Sequence, residues 1–136
     1  MPVHLSSPDG LMQPVPYHHV AVATGTRHVH VAGQIARDAD GRPLAPGDLT
    51  EQVAHALRNT AAGLRSAGAG FGDVVRLTFY VTGWTPEEIG PFMAGVEQVT
   101  AELGLPSPLP PASLIGVSHL FEPDVLVEVE ATAVLP

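Results

Sequence analysis

The segment VLVEVEATAV, residues 125 to 134, restricts the possible folds of this chain more than any other. Its odd-numbered residues are all Val or Ala, whereas Glu128 and Glu130 lie at even-numbered positions. Successive side chains of a β-strand point to opposite faces of the sheet, so this strand has one apolar face and one face with two carboxylates. The apolar face needs cover, and helices packed on one side of a sheet would provide it.

Other segments alternate in a similar way and predict further strands. YHHVAVAT (residues 17–24) and RHVHVAG (residues 27–33) are separated by Gly25 and Thr26, and together they predict a β-hairpin. A strand that ends at Gly83 is predicted to bury its apolar residues Val75, Leu77, Phe79 and Val81. ASLIGVS (residues 112–118) predicts the strand that precedes the last one, with a turn over residues 122–124 between them.

Capping residues predict two helices. Asp48, with Glu51 three residues later, predicts the start of the first helix, and Gly68 predicts its end. Thr85, followed by Pro86, predicts the start of the second helix. The apolar stripes are Val53, Leu57, Ala61 and Leu64 in the first helix and Ile89, Phe92, Met93 and Val96 in the second. Prolines at positions 106, 108, 110 and 111 then predict an extended segment.

These elements predict one α+β domain over residues 1–136, in the order ββαβαββ. One mixed sheet would be covered on one face by the two helices. In a monomer, the second face of the sheet would be only partly solvated, because it carries valines as well as histidines and two carboxylates. We therefore expect a symmetry-related copy of the chain to cover that face.

Composition excludes several classes of function. The chain has no cysteine, which removes disulfides, thiolate nucleophiles and Cys-ligated zinc. Its formal charge is −8, and its basic residues are six scattered arginines without any lysine, so we expect no nucleic-acid partner. The sequence has no apolar segment long enough to span a membrane, and its first residues do not resemble a signal peptide. We therefore expect no membrane association and a cytoplasmic location.

Glu128 and Glu130 are the first candidates for chemistry. They share one strand face, and mutual repulsion at that spacing can raise the pKa of one carboxyl and make it a general acid or base. The alternative is that both carboxylates form ion pairs or hydrogen bonds at an interface.

Histidines give a weaker indication of function. His28 and His30 share a strand face at a spacing that can chelate zinc, but no third ligand is identified by spacing, so we expect no metal site. His30 remains a candidate proton carrier. Tyr17 is either a core aromatic residue or a hydrogen-bond donor in a pocket, and Gly33 is a candidate bulge that lets a ligand approach the backbone.

The chain resembles the Rid family, also called YjgF or L-PSP, the reactive intermediate deaminases. The resemblance rests on VAGQI (residues 31–35), on the block from AG to YVT (residues 67–82) and on LVEVEA (residues 126–131). It implies a chorismate-mutase-like fold and a homotrimer in which three sheets form a barrel. It also implies pockets in the clefts between subunits. We expect no cofactor.

The resemblance also assigns site residues. In deaminating members an Arg binds the substrate carboxylate, and a Glu near the end of the last strand positions the water that attacks an imine. Ala112 occupies the position of that Arg, within Pro111 to Ser113, and Glu128 matches the family glutamate. Tyr17 and Gly33 match a pocket tyrosine and a pocket glycine of the family, and Met93 lies roughly where deaminating members often have Asn. The candidate substrate-binding residues are Gly33, Met93, Ala112 and Leu114, and the candidate catalytic residues are Glu128, Tyr17 and His30.

Two functions are therefore expected from the sequence. The first is an enzyme that acts on an imine, an enamine or a related reactive small molecule, with Glu128 handling water or a proton; general 2-imino acid deamination is doubtful because of Ala112. The second is a non-catalytic trimer that binds a metabolite or has a regulatory role. An endoribonuclease conflicts with the charge of −8.

Overall fold

A computed structural model describes residues 2–136 of the chain. Six strands and two α-helices follow one another in the order βββαβαββ. The strands are β1 (Val3–Ser6), β2 (Val20–Ala23), β3 (Arg27–Gln34), β4 (Val74–Thr82), β5 (Ala112–Val117) and β6 (Val127–Leu135), and the helices are α1 (Leu49–Ser66) and α2 (Ile89–Leu103). The predicted α+β class, with two helices and a mixed sheet, is confirmed.

The main sheet has the strand order β3-β6-β4-β5. β6 lies between β3 and β4 and runs antiparallel to both, whereas β5 runs parallel to β4. The predicted apolar face of β6 is buried, since Val127, Val129, Ala131 and Ala133 are all at most 3% exposed. Glu128 and Glu130 lie on the opposite face, which we call the open face because the helices do not cover it.

The two helices cover the other face. The apolar stripe of α1 is buried as predicted, whereas in α2 Phe92 and Val96 are buried but Ile89 is 47% exposed and Met93 is only half-buried. Asp48 caps α1 by accepting a hydrogen bond from the amide of Glu51, and the helix packs on β3 and β6. Gly95 lets α2 approach α1 closely, because a Cβ at this position would lie 2.4 Å from the carbonyl oxygen of Thr50. Phe92 of α2 packs edge-to-face on Phe79 of β4. Within residues 2–136, no helix is long and apolar enough to cross a membrane.

The predicted hairpin between residues 17–24 and 27–33 is wrong. β2 pairs instead with β1, a four-residue strand that the sequence pattern did not reveal, and these two strands form a separate sheet. The link between β2 and β3 is held on the end of β6, where Thr26 donates its amide to the carbonyl of Leu135. β3 therefore pairs with the last strand of the chain rather than with its neighbour in sequence.

The start of β4 also differs from the prediction. The register between β4 and β6 shifts between Val74 and Arg76, so Val74 is fully buried while Val75 is only half-buried. Beyond this irregularity Leu77, Phe79 and Val81 are buried as predicted. After the shift, Arg76, Thr78 and Tyr80 lie on the open face, and the residues between them lie on the face that the helices cover.

Polar side chains hold the segment that leads into β6. Gln52 of α1 is 1% exposed, and its side chain donates to the carbonyl of Asp124 at 2.9 Å and accepts from the amide of Leu126 at 2.9 Å. Arg37 donates to the carboxylates of both Asp124 and Glu122. This network holds the chain immediately before β6, which begins at Val127, one residue before Glu128.

Candidate functional site

The open face of the main sheet carries the polar candidates. Tyr80 of β4 lies opposite Glu128 of β6, and Thr78 lies opposite Glu130. One step further along β6, Thr132 lies between Arg76 of β4 and His30 of β3. Cross-strand neighbours share a face, so the two carboxylates belong to a polar patch that spans three strands.

Glu128 lies directly against Gly33. The register between β3 and β6 shifts between Val31 and Gln34, so the strand is irregular where the bulge at Gly33 is predicted, and the approach of a ligand there stays a prediction. A Cβ at Gly33 would lie 2.0 Å from Oε2 and 2.6 Å from Cδ of Glu128. The missing side chain therefore makes room for the glutamate carboxylate, which is the group that approaches the backbone here.

The two carboxylates differ in their environment. Burial raises the pKa of Glu128 above its ordinary value, and the charge of Glu130 raises it further. Glu130 accepts a hydrogen bond from the Tyr80 hydroxyl at 2.6 Å, which raises the pKa of Tyr80. Among residues 2–136, no hydrogen bond engages the carboxylate of Glu128. Of the two carboxyls, Glu128 is therefore the one available to bind a water molecule or move a proton.

His30 lies on the same face, beside a cavity of about 410 Å³ lined also by Arg76, Thr78, Glu130 and Thr132. Arg76 donates a hydrogen bond to the hydroxyl of Ser113 on β5. His30 itself is exposed. No group of three or more His, Asp or Glu residues that could hold a metal ion occurs in the part of the chain that the structure describes.

A second set of predicted residues lines another cavity of about 240 Å³, which we call the apolar cavity. Ala112 lies beside Leu77 and Leu114 lies beside Phe79, both on the helix-side face of the sheet. α2 contributes Met93, and Tyr17 is held by the backbone pairing of its segment with Leu109. The apolar cavity is lined by Met12, Val15, Pro16, Tyr17, Phe79, Ile89, Phe92, Met93, Leu109, Ala112, Ser113 and Leu114.

Within one chain the predicted site residues form two groups on opposite faces of the sheet. Tyr17, Met93, Ala112 and Leu114 meet at the apolar cavity, whereas Glu128 lies with Gly33 on the open face. Sequence reasoning missed Tyr80, which holds Glu130 in place. The alternation along β4 predicts that Tyr80 shares a face with Arg76 and Thr78. Its hydrogen bond to Glu130 could not be predicted in this way, because it depends on the register between β4 and β6.

Both the fold and these residues point to one class of protein. The sequence profile of the family described as Endoribonuclease L-PSP matches residues 11–135. The chain belongs to this family, the Rid or YjgF/L-PSP family, so the resemblance noted in the sequence is confirmed.

Three similar proteins define its relation to that family. The crystal structure of the Rid family protein YyfB of Yersinia pestis, a protein of unknown function, is 35% identical and has a TM-score of 0.87, covering 99% of this chain and 100% of that one. A RutC family protein of Pyrococcus abyssi is 32% identical over 89% of this chain and 88% of its own length. The 2-iminobutanoate/2-iminopropanoate deaminase of Rattus norvegicus is 38% identical over 38% of each chain.

Proposed function

We propose that this protein is an enzyme that hydrolyses an imine, an enamine or a related reactive small molecule, with Glu128 as the group that handles water and the proton. The observation that carries the proposal is the Glu128 carboxyl, packed on Gly33 with a raised pKa and free of hydrogen bonds within residues 2–136. The deaminase named among its relatives supports the same class of reaction.

The proposed reaction has two steps. In the first, Glu128 accepts a proton from water while the water oxygen bonds to the imine carbon, and the nitrogen takes up a proton from solvent to give a carbinolamine. In the second, the acid form of Glu128 protonates the amine, the C–N bond breaks, and the carbinolamine hydroxyl loses its proton to solvent, so that a carbonyl compound and ammonia leave and Glu128 is again a carboxylate. A carboxyl with a raised pKa suits both steps because it is closer to the operating pH than an ordinary glutamate.

A homotrimer would bring the two groups of site residues together. Within one chain Glu128 and Ala112 lie on opposite faces of the sheet, so one chain alone does not form a site from both. The open face also carries the half-buried Glu128, Glu130 and Tyr80 without any covering layer from the described residues. In the proposed trimer, the open face of one subunit closes a cleft against the apolar cavity of its neighbour.

Ala112 argues against general deamination of 2-imino acids. An arginine that binds a carboxylate contributes about 1.5 to 3 kcal/mol, so its absence should weaken binding of such substrates at least tenfold. An endoribonuclease activity is also disfavoured, since a chain with a charge of −8 and no lysine repels a phosphate backbone.

A non-catalytic trimer that binds a small molecule is the second candidate. The observation in its favour is the apolar cavity, whose lining residues in the described part of the chain include one titratable side chain, Tyr17. A cavity of this kind can bind a ligand without reacting with it.

Matched variants of the two carboxylates test the proposal. Imines are generated in situ from primary amines and from amino acids by the corresponding oxidases, and ammonia release is measured with boiled protein as the blank. We expect Glu128→Gln to abolish turnover and Glu130→Gln to retain most of it. If no imine is hydrolysed by the wild type, the non-catalytic alternative is favoured; if only Glu130→Gln is inactive, the role belongs to Glu130.

A further inference from the structure

The side chains that line the apolar cavity are almost entirely hydrocarbon. Within the described part of the chain, none of its lining residues carries a charge, and the polar residues among them are Tyr17 and Ser113. The Ser113 side chain lies on the open face, where its hydroxyl accepts a hydrogen bond from Arg76. The rim is apolar as well, since Met12 is 72% exposed and Ile89 is 47% exposed. An ionised group in this cavity would therefore lose water without gaining a partner.

We infer that the apolar cavity binds an uncharged branched aliphatic or aromatic group, and that the substrate carries no carboxylate on its reacting carbon. This inference rests on the proposed function for the reaction, but it concerns which molecules the cavity accepts. The half-buried Tyr17 can offer its hydroxyl to one neutral polar atom of such a ligand.

The size of the apolar cavity agrees with a group of this kind. An engineered protein cavity of about 150 Å³ holds benzene, so about 240 Å³ accommodates a phenyl or isobutyl group together with the reacting carbon. Burial of such a group removes its apolar surface, and that of Met12 and Ile89, from water. Affinity should therefore increase with the apolar bulk of the ligand until the cavity is full.

Met93 limits the length of the ligand. An adjoining cavity of about 210 Å³ shares Pro16, Met93 and Leu109 with the apolar cavity. The half-buried Met93 lines both spaces, and we expect its truncation to alanine to join them. Met93→Ala should therefore shift the preferred ligand toward longer chains.

Two matched pairs of probes test the inference in the intact protein. For turnover, the imines made in situ from isoamylamine and from leucine share a side chain and differ by one carboxylate. For binding, calorimetry compares 4-methylpentanamide with 4-methylpentanoate. We expect the uncharged member of each pair to be preferred at least tenfold. Met93→Ala should reverse the affinity order of 4-methylpentanamide and octanamide.

Two tryptophan variants provide the site control. Leu114→Trp fills the apolar cavity and should weaken amide binding at least tenfold, whereas Val22→Trp adds the same ring at a site that is 60% exposed on β2 and should leave binding unchanged. The inference is overturned if the acid binds as tightly as the amide, if the amide does not bind at millimolar concentration, or if folded Leu114→Trp binds it normally. Tight amide binding without any turnover supports the cavity preference and refutes the proposed reaction, so the two failures are distinguishable.

Discussion

Substitution of Gly33 by alanine tests whether the contact between Gly33 and Glu128 positions the proposed catalytic group. The new Cβ would lie 2.0 Å from Oε2, 2.6 Å from Cδ and 2.8 Å from Cγ of Glu128. Ordinary contacts of a Cβ begin near 3.4 Å, so the carboxylate oxygen must withdraw by about 1.4 Å. Gly33 has no left-handed backbone conformation, and the effect is therefore one of space rather than backbone strain.

The displacement predicts a large effect on activity and a moderate one on stability. A misplacement of about 1 Å in a catalytic group can cost about 100-fold in rate, and we expect Gly33→Ala to lower kcat by about that factor. The free energy of unfolding should fall by about 1 to 3 kcal/mol, as for other overpacked sites. Partial recovery is expected in Gly33→Ala/Glu128→Asp, because the aspartate side chain is one carbon shorter.

Two measurements check this prediction. Ammonia release gives kcat, and carbon-13 NMR titration gives the pKa of the Glu128 carboxyl without any substrate. Because burial is the main cause of the raised pKa, the displaced carboxyl should titrate closer to its ordinary value of 4.5. Gly72→Ala is the control, since no heavy atom of residues 2–136 beyond its chain neighbours lies within 4 Å of a Cβ built at that position. The reasoning is refuted if folded Gly33→Ala keeps both the wild-type kcat and the wild-type pKa of Glu128.

Light scattering at micromolar protein should return three times the mass of the chain, and a monomer mass would contradict a pocket shared between subunits. Wild-type protein should hydrolyse 2-iminopropanoate no faster than buffer, and Ala112→Arg should gain part of this activity, more so with Met93→Asn; a wild-type rate equal to that of an arginine-containing relative would show that another group binds the carboxylate. Arg37 lowers the pKa of Asp124 below its ordinary 3.8, so this pair stabilises the fold above about pH 3.8, and the contribution is lost as pH falls through the lower folded-state pKa. Urea denaturation between pH 2.5 and 6 should show a shallower acid decline for Arg37→Met, and an unchanged decline would rule out this pair as its source.

Local signals in the sequence were enough to predict most of the elements. Asp48 caps α1 because its carboxylate reaches an amide three residues away, and this interaction needs no other part of the fold. The alternation of β6 predicted its buried face because side-chain direction in a strand has a period of two. Glu128, Tyr17 and Ala112 were selected through motifs that lie within short segments of the chain.

Strand pairing and the facing of the site were decided by the tertiary structure. β2 pairs with β1, and β3 pairs with β6. These pairings are hard to predict from sequence because the backbone hydrogen bonds between strands depend little on which side chains are present. The choice of partner depends instead on which strand edges the rest of the fold leaves open. The contact of Gly33 with Glu128 joins residues far apart in sequence and requires both the bulge in β3 and its register on β6. The parallel register of β5 on β4 likewise turns Ala112 to the helix side and Ser113 to the open face, and a slip of one residue would exchange them.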